Sequence, residues 1–365
     1  MLVGAASLVV VVAGIRGIAW LLGPIFLALI IVITVAPVQG WLRRRGLPGW
    51  TTTPLLLLCV YGLIMVLALG IIFSVARLGT ELPRYAARSN AIVTSLTNSL
   101  AEFGIGPDQL RQAAGSVNVD KLAGLVGALL SSATGLATNL VFLLALLLFL
   151  SVESNGTARR LALIAADRPR VAEALTEFAR GTRRYMLVTT VFGLIVAALD
   201  TVALAIMGIP LPVTWGILAF ITNYIPNVGF IIGVVPPALL GLLTGGPQLM
   251  IIVIVVYCAL NFVVQSIIQP RFIGNAVGLS VTVTFVALVL WAWLLGPLGA
   301  ILAIPLTLLV KHLMVDIDPR AGWADALLGD SARAPRPRAD GPGPGPAGPD
   351  GVPVPREIQG RPTAT

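Results

Sequence analysis

Between Tyr185 and Val310 the sequence carries only two charged residues, Asp200 and Arg271. An acid set in a long apolar stretch suits one chemistry, the reversible binding of a proton or a sodium ion that couples to movement. The competing reading is that Asp200, about two turns from the outer end of its helix, reaches a membrane interface. Arg271 follows Pro270 and either attracts an anionic group or anchors its helix at the interface, the anchor being favoured. Two further sets of residues are polar without being charged. Asn261, Gln265 and Gln269 recur at i, i+4 and i+8, forming one stripe on an otherwise apolar helix. Such a stripe is expensive against lipid, so it should face the interior, as a solute path or as interhelical hydrogen bonding. Thr222, Asn223 and Asn227 surround Pro226 and precede Gly229. Their polar groups could hold a polyhydroxylated solute or an ion, or satisfy backbone groups that Pro226 frees.

That break has an echo. A span from about Tyr185 to Met207 is followed by a connector, Gly208 to Pro212, and an apolar stretch from Thr214 to Thr244 interrupted at Asn223 to Gly229. A second span, about Leu249 to Ile268, is followed by a connector, Gln269 to Gly274, and a stretch from Thr282 to His312 interrupted at Gly296 to Gly299. Pro226 and Gly229 precede Pro236 in the first stretch; Pro297 and Gly299 precede Pro305 in the second. Proline removes a backbone donor and glycine tolerates unusual dihedrals, so both centres should unwind. Unwound backbone at membrane depth needs protein or a water-filled cavity around it. Each stretch is then a hairpin that dips in and returns, the alternative being two helices kinked by proline. One span separates the hairpins, which gives the two units opposite topology: an inverted repeat whose interrupted helices meet at a midplane binding site. Gly296, Pro297 and Gly299 join the residues of the first break as candidate solute or ion contacts. Gly229 and Gly233 form a GxxxG pair, read as close helix packing.

The elements that position these residues follow from composition. The chain has 365 residues, 57% hydrophobic and 11% charged, with a formal charge of +8 and a mean hydropathy of +0.95. A soluble protein has about 25% charged residues, so a soluble globular enzyme is excluded. The fold expected is an all-α polytopic membrane protein of about six full spans plus two re-entrant hairpins, with the inverted repeat in residues 185–312. Residues 1–78 read as N-terminal membrane helices around a cytoplasmic arginine loop at 41–50. The run from Leu2 to Gly14 is taken as a membrane helix and not a signal peptide, because no basic region precedes it. Arg43, Arg44 and Arg45 beside Trp41 and Trp50 set the orientation. Residues 79–130 read as an extracytoplasmic amphipathic helical segment, with Ile92, Leu96, Leu100 and Phe103 at helical spacing. Residues 131–152 form a membrane helix, and 153–184 a cytoplasmic basic amphipathic helix carrying seven arginines and four acids. Residues 185–314 are the transport core, and 315–365 a Pro/Gly-rich cytoplasmic tail too poor in apolar surface to fold.

Several chemistries are absent. There is no Walker A sequence, no HExxH, and no histidine within the spans for a serine–histidine protease. No cofactor and no metal site is expected; Cys59 and Cys258 lie in apolar runs and read as small packing residues. The acids among the arginines of 153–184 argue against nucleic acid and in favour of lipid headgroups as their partner. His312, beside Lys311, reads as a surface residue.

In combination, these motifs resemble a known family. Ile225-Pro226-Asn227-Val228-Gly229 with Pro236, Gln269-Pro270 through Gly274, Gly278-Leu279-Ser280, Gly296-Pro297-Leu298-Gly299 and Ala303-Ile304-Pro305 are similar to the signature of the autoinducer-2 exporter family of bacterial permease-like membrane proteins. The resemblance covers about residues 15 to 315; Val281 stands where that family commonly has proline. It implies a secondary transporter or exporter of a small polar molecule, such as a quorum-signal-like solute, or of an ion, possible proton or sodium coupling included, in the bacterial cytoplasmic membrane. It also implies homo-oligomers. A pore, or a non-transporting membrane scaffold, is the alternative.

Overall fold

The computed structural model describes residues 2–48, 51–70, 72–73, 77, 140–226, 228–273 and 279–317. Among these every regular element is helical, as hydrocarbon requires when each backbone N–H and C=O must be satisfied within its own segment. The N-terminal part comprises α1 (Leu2–Gly17), α2 (Ala19–Arg44) and α3 (Thr51–Gly70). After α4 (Leu140–Glu153) and a 3-10 turn come α5 (Thr157–Asp167) and α6 (Pro169–Ile206). Then follow α7 (Pro212–Thr222), α8 (Gly229–Asn261) with its π-helical continuation Phe262–Ile268, and α9 (Gln269–Ile273). The last helices are α10 (Val281–Leu295), α11 (Pro297–Ile301) and α12 (Ala303–Val310). The expected amphipathic segment at 79–130, the re-entry at 131–139 and the tail beyond 317 lie outside the described residues.

Among the described residues, four helices are long and apolar enough to cross a membrane: α2, α3, α6, and α8 with its continuation; α4 and α5, meeting at 63°, make a fifth if taken as one span. Helix α6 differs from the expected division at residue 185. It is one helix of 38 residues, or about 57 Å at 1.5 Å per residue. The loss of charge at Tyr185 marks a change of surroundings, not a break in hydrogen bonding. The break comes earlier, at Arg168 (φ −134°, ψ 74°), just before Pro169, where a residue preceding proline leaves the helical region.

Helix α8 is bent back on itself. Gly246 (φ 78°, ψ −171°) interrupts it, in a region that residues with a Cβ avoid. Beyond this point the chain reverses: Gly241 faces the Cα of Met250, and Val234, Ala238 and Leu240 bury against Val253 and Tyr257. Limb 229–245 therefore pairs with α7 as a broken hairpin, and limb 247–261 begins the long helix expected from about Leu249. At 11 residues, α7 spans about 17 Å, short of the roughly 30 Å hydrocarbon core.

The second broken stretch also folds back. Trp291 Nε1 of α10 donates to Thr307 Oγ1 of α12 at 3.0 Å. Ser280 supplies the helix start where proline is missing, its Oγ accepting from the Val283 amide at 3.2 Å. This hairpin is held by α2 and α6: Ile30, Phe178, Tyr185, Leu302, Leu306 and Leu308 share one buried cluster. Arg16 of α1 stacks 4.7 Å above the Trp293 ring. A separate cluster joins α2, α3 and α4 through Ala28, Leu57, Leu143 and Leu147.

One expectation is corrected. Cys59 and Cys258 are free and exposed instead of packed inside; Cys258 borders an open space beside the second limb of α8. His312 is half-buried at the surface, its Nδ1 lying 2.5 Å from Oδ2 of the exposed Asp316 while Lys311 Nζ lies 3.2 Å from Oδ1.

Candidate functional site

Helices α6 and α7 approach closely because their contact face is built from small residues. A Cβ on Gly216 would stand 1.9 Å from Thr201 Oγ1, and one on Gly193 would stand 2.8 Å from Asn223 Nδ2. Such contacts let a short helix settle on a long one and bring its C-terminal end, the first break, against the middle of α6. The break is then tied down by its own side chains. Asn223 Nδ2 donates to the Thr189 carbonyl at 3.0 Å, and the Tyr224 hydroxyl shares a 2.7 Å hydrogen bond with Thr190 Oγ1. Neither bond goes to backbone freed by Pro226. Asn223 Oδ1 remains buried without a partner.

Across from the break runs the stripe on the second limb of α8. Asn261 is buried; its Nδ2 donates to the Tyr257 carbonyl at 2.9 Å, and its Oδ1 accepts from Gln265 Nε2 at 2.6 Å. Gln265 lies in the π-helical turn, a departure from α geometry that recurs at functional positions in helices. Between stripe and break opens a cavity of about 680 Å³, lined by Tyr185, Thr189, Asn223, Pro226, Phe230, Asn261, Gln265, Ser266 and Gln269 among others. Its polar side chains are hydroxyls and amides; none is ionic at neutral pH. Hydroxyls and amides both donate and accept, which suits an uncharged, hydrogen-bonding solute in a space of the size that small-molecule sites occupy.

Deeper in lies Asp200. It is fully buried, so it does not reach an interface, and it lines a small void with Thr222, Gly233 and Tyr257. Asn223, Phe230, Asn261 and Gln265 line both void and cavity. Among the described residues neither Asp200 oxygen has a hydrogen-bond partner. Asn261 lies beside the carboxyl without hydrogen-bond geometry, its amide being committed to the Tyr257 carbonyl and to Gln265.

The remaining predicted residues are placed as follows. Thr222 Oγ1 donates to the Ala219 carbonyl at 3.3 Å. Gly229 sits against the Thr222 carbonyl, and Gly233 faces Thr222 Oγ1, so both serve the closure of the first hairpin. Asn227 lies outside the described residues. Gly296 (φ 70°), Pro297 and Gly299 form the second break and do not line the cavity; the neighbouring Ala300 and Ala303 pack on Ile225 and Val228 of the first. Arg271 is exposed on α9. Sequence reasoning missed Tyr185 and Thr189 as cavity residues and Tyr257 as the neighbour of Asp200. The signal existed: Thr182, Tyr185, Thr189 and Asp200 fall on one face of α6 at helical spacing, and Tyr257 precedes Asn261 by four.

The family described as AI-2E family transporter matches residues 5–317. The chain is 31% identical over 314 residues to the AI-2 transport protein TqsA of Escherichia coli (strain K12), covering 83% of this chain and 88% of that one. It is 29% identical over 336 residues to a Haemophilus influenzae protein provisionally named as a transport protein, covering 90% of this chain and 96% of that one. The chain belongs to the AI-2E transporter family, and is thus a multi-pass membrane transport protein and not an enzyme.

Proposed function

We propose that this protein is a secondary transporter that moves a small, uncharged polar solute by alternating access around the cavity between α6, the first break and the Asn261 stripe. The observation that carries this reading is the cavity itself: a space of about 680 Å³ beside an interrupted helix, mostly apolar, with hydroxyls and amides but no carboxylate or cationic side chain in its lining. Interrupted helices at membrane depth are how transporters build midplane sites. Thr222, Asn223, Pro226, Gly229, Asn261, Gln265 and Gln269 form or support the solute site; Asp200 is the coupling carboxyl, for a proton or sodium. The two hairpins act as an inverted repeat, with about six full spans. The arginines at 43–45 and 159–184 face the cytoplasm of a bacterial cell, as does the tail, and the working unit is a homo-oligomer. TqsA is named for AI-2 transport, so a quorum-signal-like solute heads the screen.

The test is uptake into vesicles containing the purified chain. Saturable uptake that Asn223→Ala or Gln269→Ala impairs supports transport. Flux rising linearly with solute, accompanied by single-channel currents, would replace it with a pore; a phenotype that follows the tail alone, without flux, would replace it with a scaffold.

A further inference from the structure

The void around Asp200 holds more chemistry than a solute site needs. Asp200 is 0% exposed, and Tyr257, Thr222 and Asn261 around it are 1%, 4% and 6% exposed. Both carboxyl oxygens and the Tyr257 hydroxyl are buried without hydrogen-bond partners. From α6 the void receives Asp200; from α7, Ala219 and Thr222; from α8, Gly233, Tyr257 and Asn261. Among the described residues, Asp200 and Tyr257 are its titratable groups and no cationic side chain faces it. Between Tyr185 and Gln269 the sequence contains no lysine, arginine or histidine at all. A lone carboxylate in such surroundings is prohibitively costly, so it must be neutralised by a bound cation. The space decides which: the void offers about 0 Å³ to a water-sized sphere. A cation held there has no room for hydrating water: a bare sodium ion would need several protein oxygens closing on it, and Asn261 Oδ1 is already taken by Gln265, whereas a proton needs only the carboxyl itself.

We propose that Asp200 is a proton-binding site, sealed from the solute cavity by the Asn261–Gln265 amide pair, and that it holds its proton in the arrangement described. Gln265 Nε2 bridges to Asn261 Oδ1 at 2.6 Å, and both residues line void and cavity alike. The bridge is carried by the π-helical turn Phe262–Ile268, where the helix already departs from its regular ladder and a change of register is least costly. When Gln265 swings away, cavity water reaches Asp200. A carboxylate oxygen then takes a proton from hydronium, which leaves as water, and release is the reverse; no other bond changes. The coupling role of this proton rests on the transport reading. In that reading, proton occupancy of Asp200 alternates with opening of the amide pair, and the coupling ion is a proton and not sodium.

The site is tested without a solute, by infrared difference spectroscopy on the full chain in vesicles of phosphatidylethanolamine and phosphatidylglycerol. At neutral pH, wild type minus Asp200→Asn should show the C=O stretch of a protonated carboxylic acid. Asp200→Glu should shift that band instead of deleting it, which guards against an Asn variant that fails to fold. Gln265→Ala, by breaching the seal, should make the band disappear as the pH is raised through a range in which wild type retains it. No wild-type band, or a band abolished when NaCl replaces choline chloride, overturns the proposal, the latter in favour of sodium. Solute uptake in the same vesicles is scored separately. Saturable uptake without the band removes the proton site and leaves transport standing; the band without uptake keeps the site and removes its coupling role together with the transport reading.

Discussion

In the first broken hairpin Gly229 lies against the carbonyl of Thr222, and in the second Gly299 lies against the carbonyl of Trp291; a Cβ would stand 1.8 Å and 1.9 Å from those oxygens. Both turns are closed by the same device, a glycine pressed onto backbone seven or eight residues earlier. The polar groups differ. The first break carries Thr222, Asn223 and Tyr224, tied to α6 through Thr189 and Thr190 and bordering the cavity. The second, Gly296-Pro297-Leu298-Gly299, carries no polar side chain; Leu298 lies against Gly23 of α2, and the adjoining Ala300 and Ala303 pack under the first break. One hairpin holds chemistry and the other props it, which shows that glycine and proline at a break report backbone geometry, while ligand chemistry must be read from the side chains beside them.

The largest expected effect tests the shared part of this comparison. Gly229→Ala and Gly299→Ala each force a methyl into a carbonyl that cannot rotate away, so each should cost about 3 kcal/mol. Thermal unfolding of the purified variants, followed by tryptophan fluorescence, should show comparable losses. A loss confined to Gly229→Ala would mean that the hairpins are not built alike.

The next effect tests what divides them. Asn223→Ala removes a hydrogen bond of about 1 kcal/mol from the seam with α6, and with it a cavity wall. Uptake should fall roughly tenfold if the lost bond also positions the solute, a tenfold change being about 1.4 kcal/mol. Leu298→Ala, in the propping hairpin, should lower thermal stability while saturation of uptake keeps its wild-type concentration dependence. Equal damage to uptake by both variants would erase the division of labour.

Much of the architecture behind this division is legible in the sequence. Pro226, Gly229, Pro297 and Gly299 located both breaks because proline and glycine act on backbone locally, whatever surrounds them. The stripe of Asn261, Gln265 and Gln269 was legible because helical periodicity fixes which residues share a face. The inward aim of Asp200 was not legible. Periodicity says which residues lie together but not what they face, and α6 presents Asp200 inward only because Gly193 and Gly216 let α7 settle on that side. Nor did the sequence separate the two breaks by role: both obey the same backbone rule, and the cavity depends on the reversal at Gly246, which carries limb 247–261 and its amides back beside the first break alone. The continuity of α6 across residue 185 was hidden for a different reason, because a change from charged to apolar residues looks like an element boundary while leaving the i to i+4 hydrogen bonds untouched.

The smallest effect sharpens the comparison most, because it matches two hydroxyls of equal structural worth. Tyr224→Phe removes the partner of Thr190 in the first hairpin, and Thr307→Val removes the acceptor of Trp291 Nε1 in the second. Each should lower stability by about 1 kcal/mol, within reach of denaturation measured in parallel on the two variants. Their effects on uptake should then part. Tyr224 holds the break whose neighbour Asn223 borders both cavity and void, so freeing it should raise the solute concentration needed for half-maximal uptake; Thr307 joins the two limbs of the propping hairpin and should leave that concentration unchanged. Because the stability losses match, a difference in uptake must come from position in the mechanism, and equal uptake would show that the first break is held by Asn223 alone.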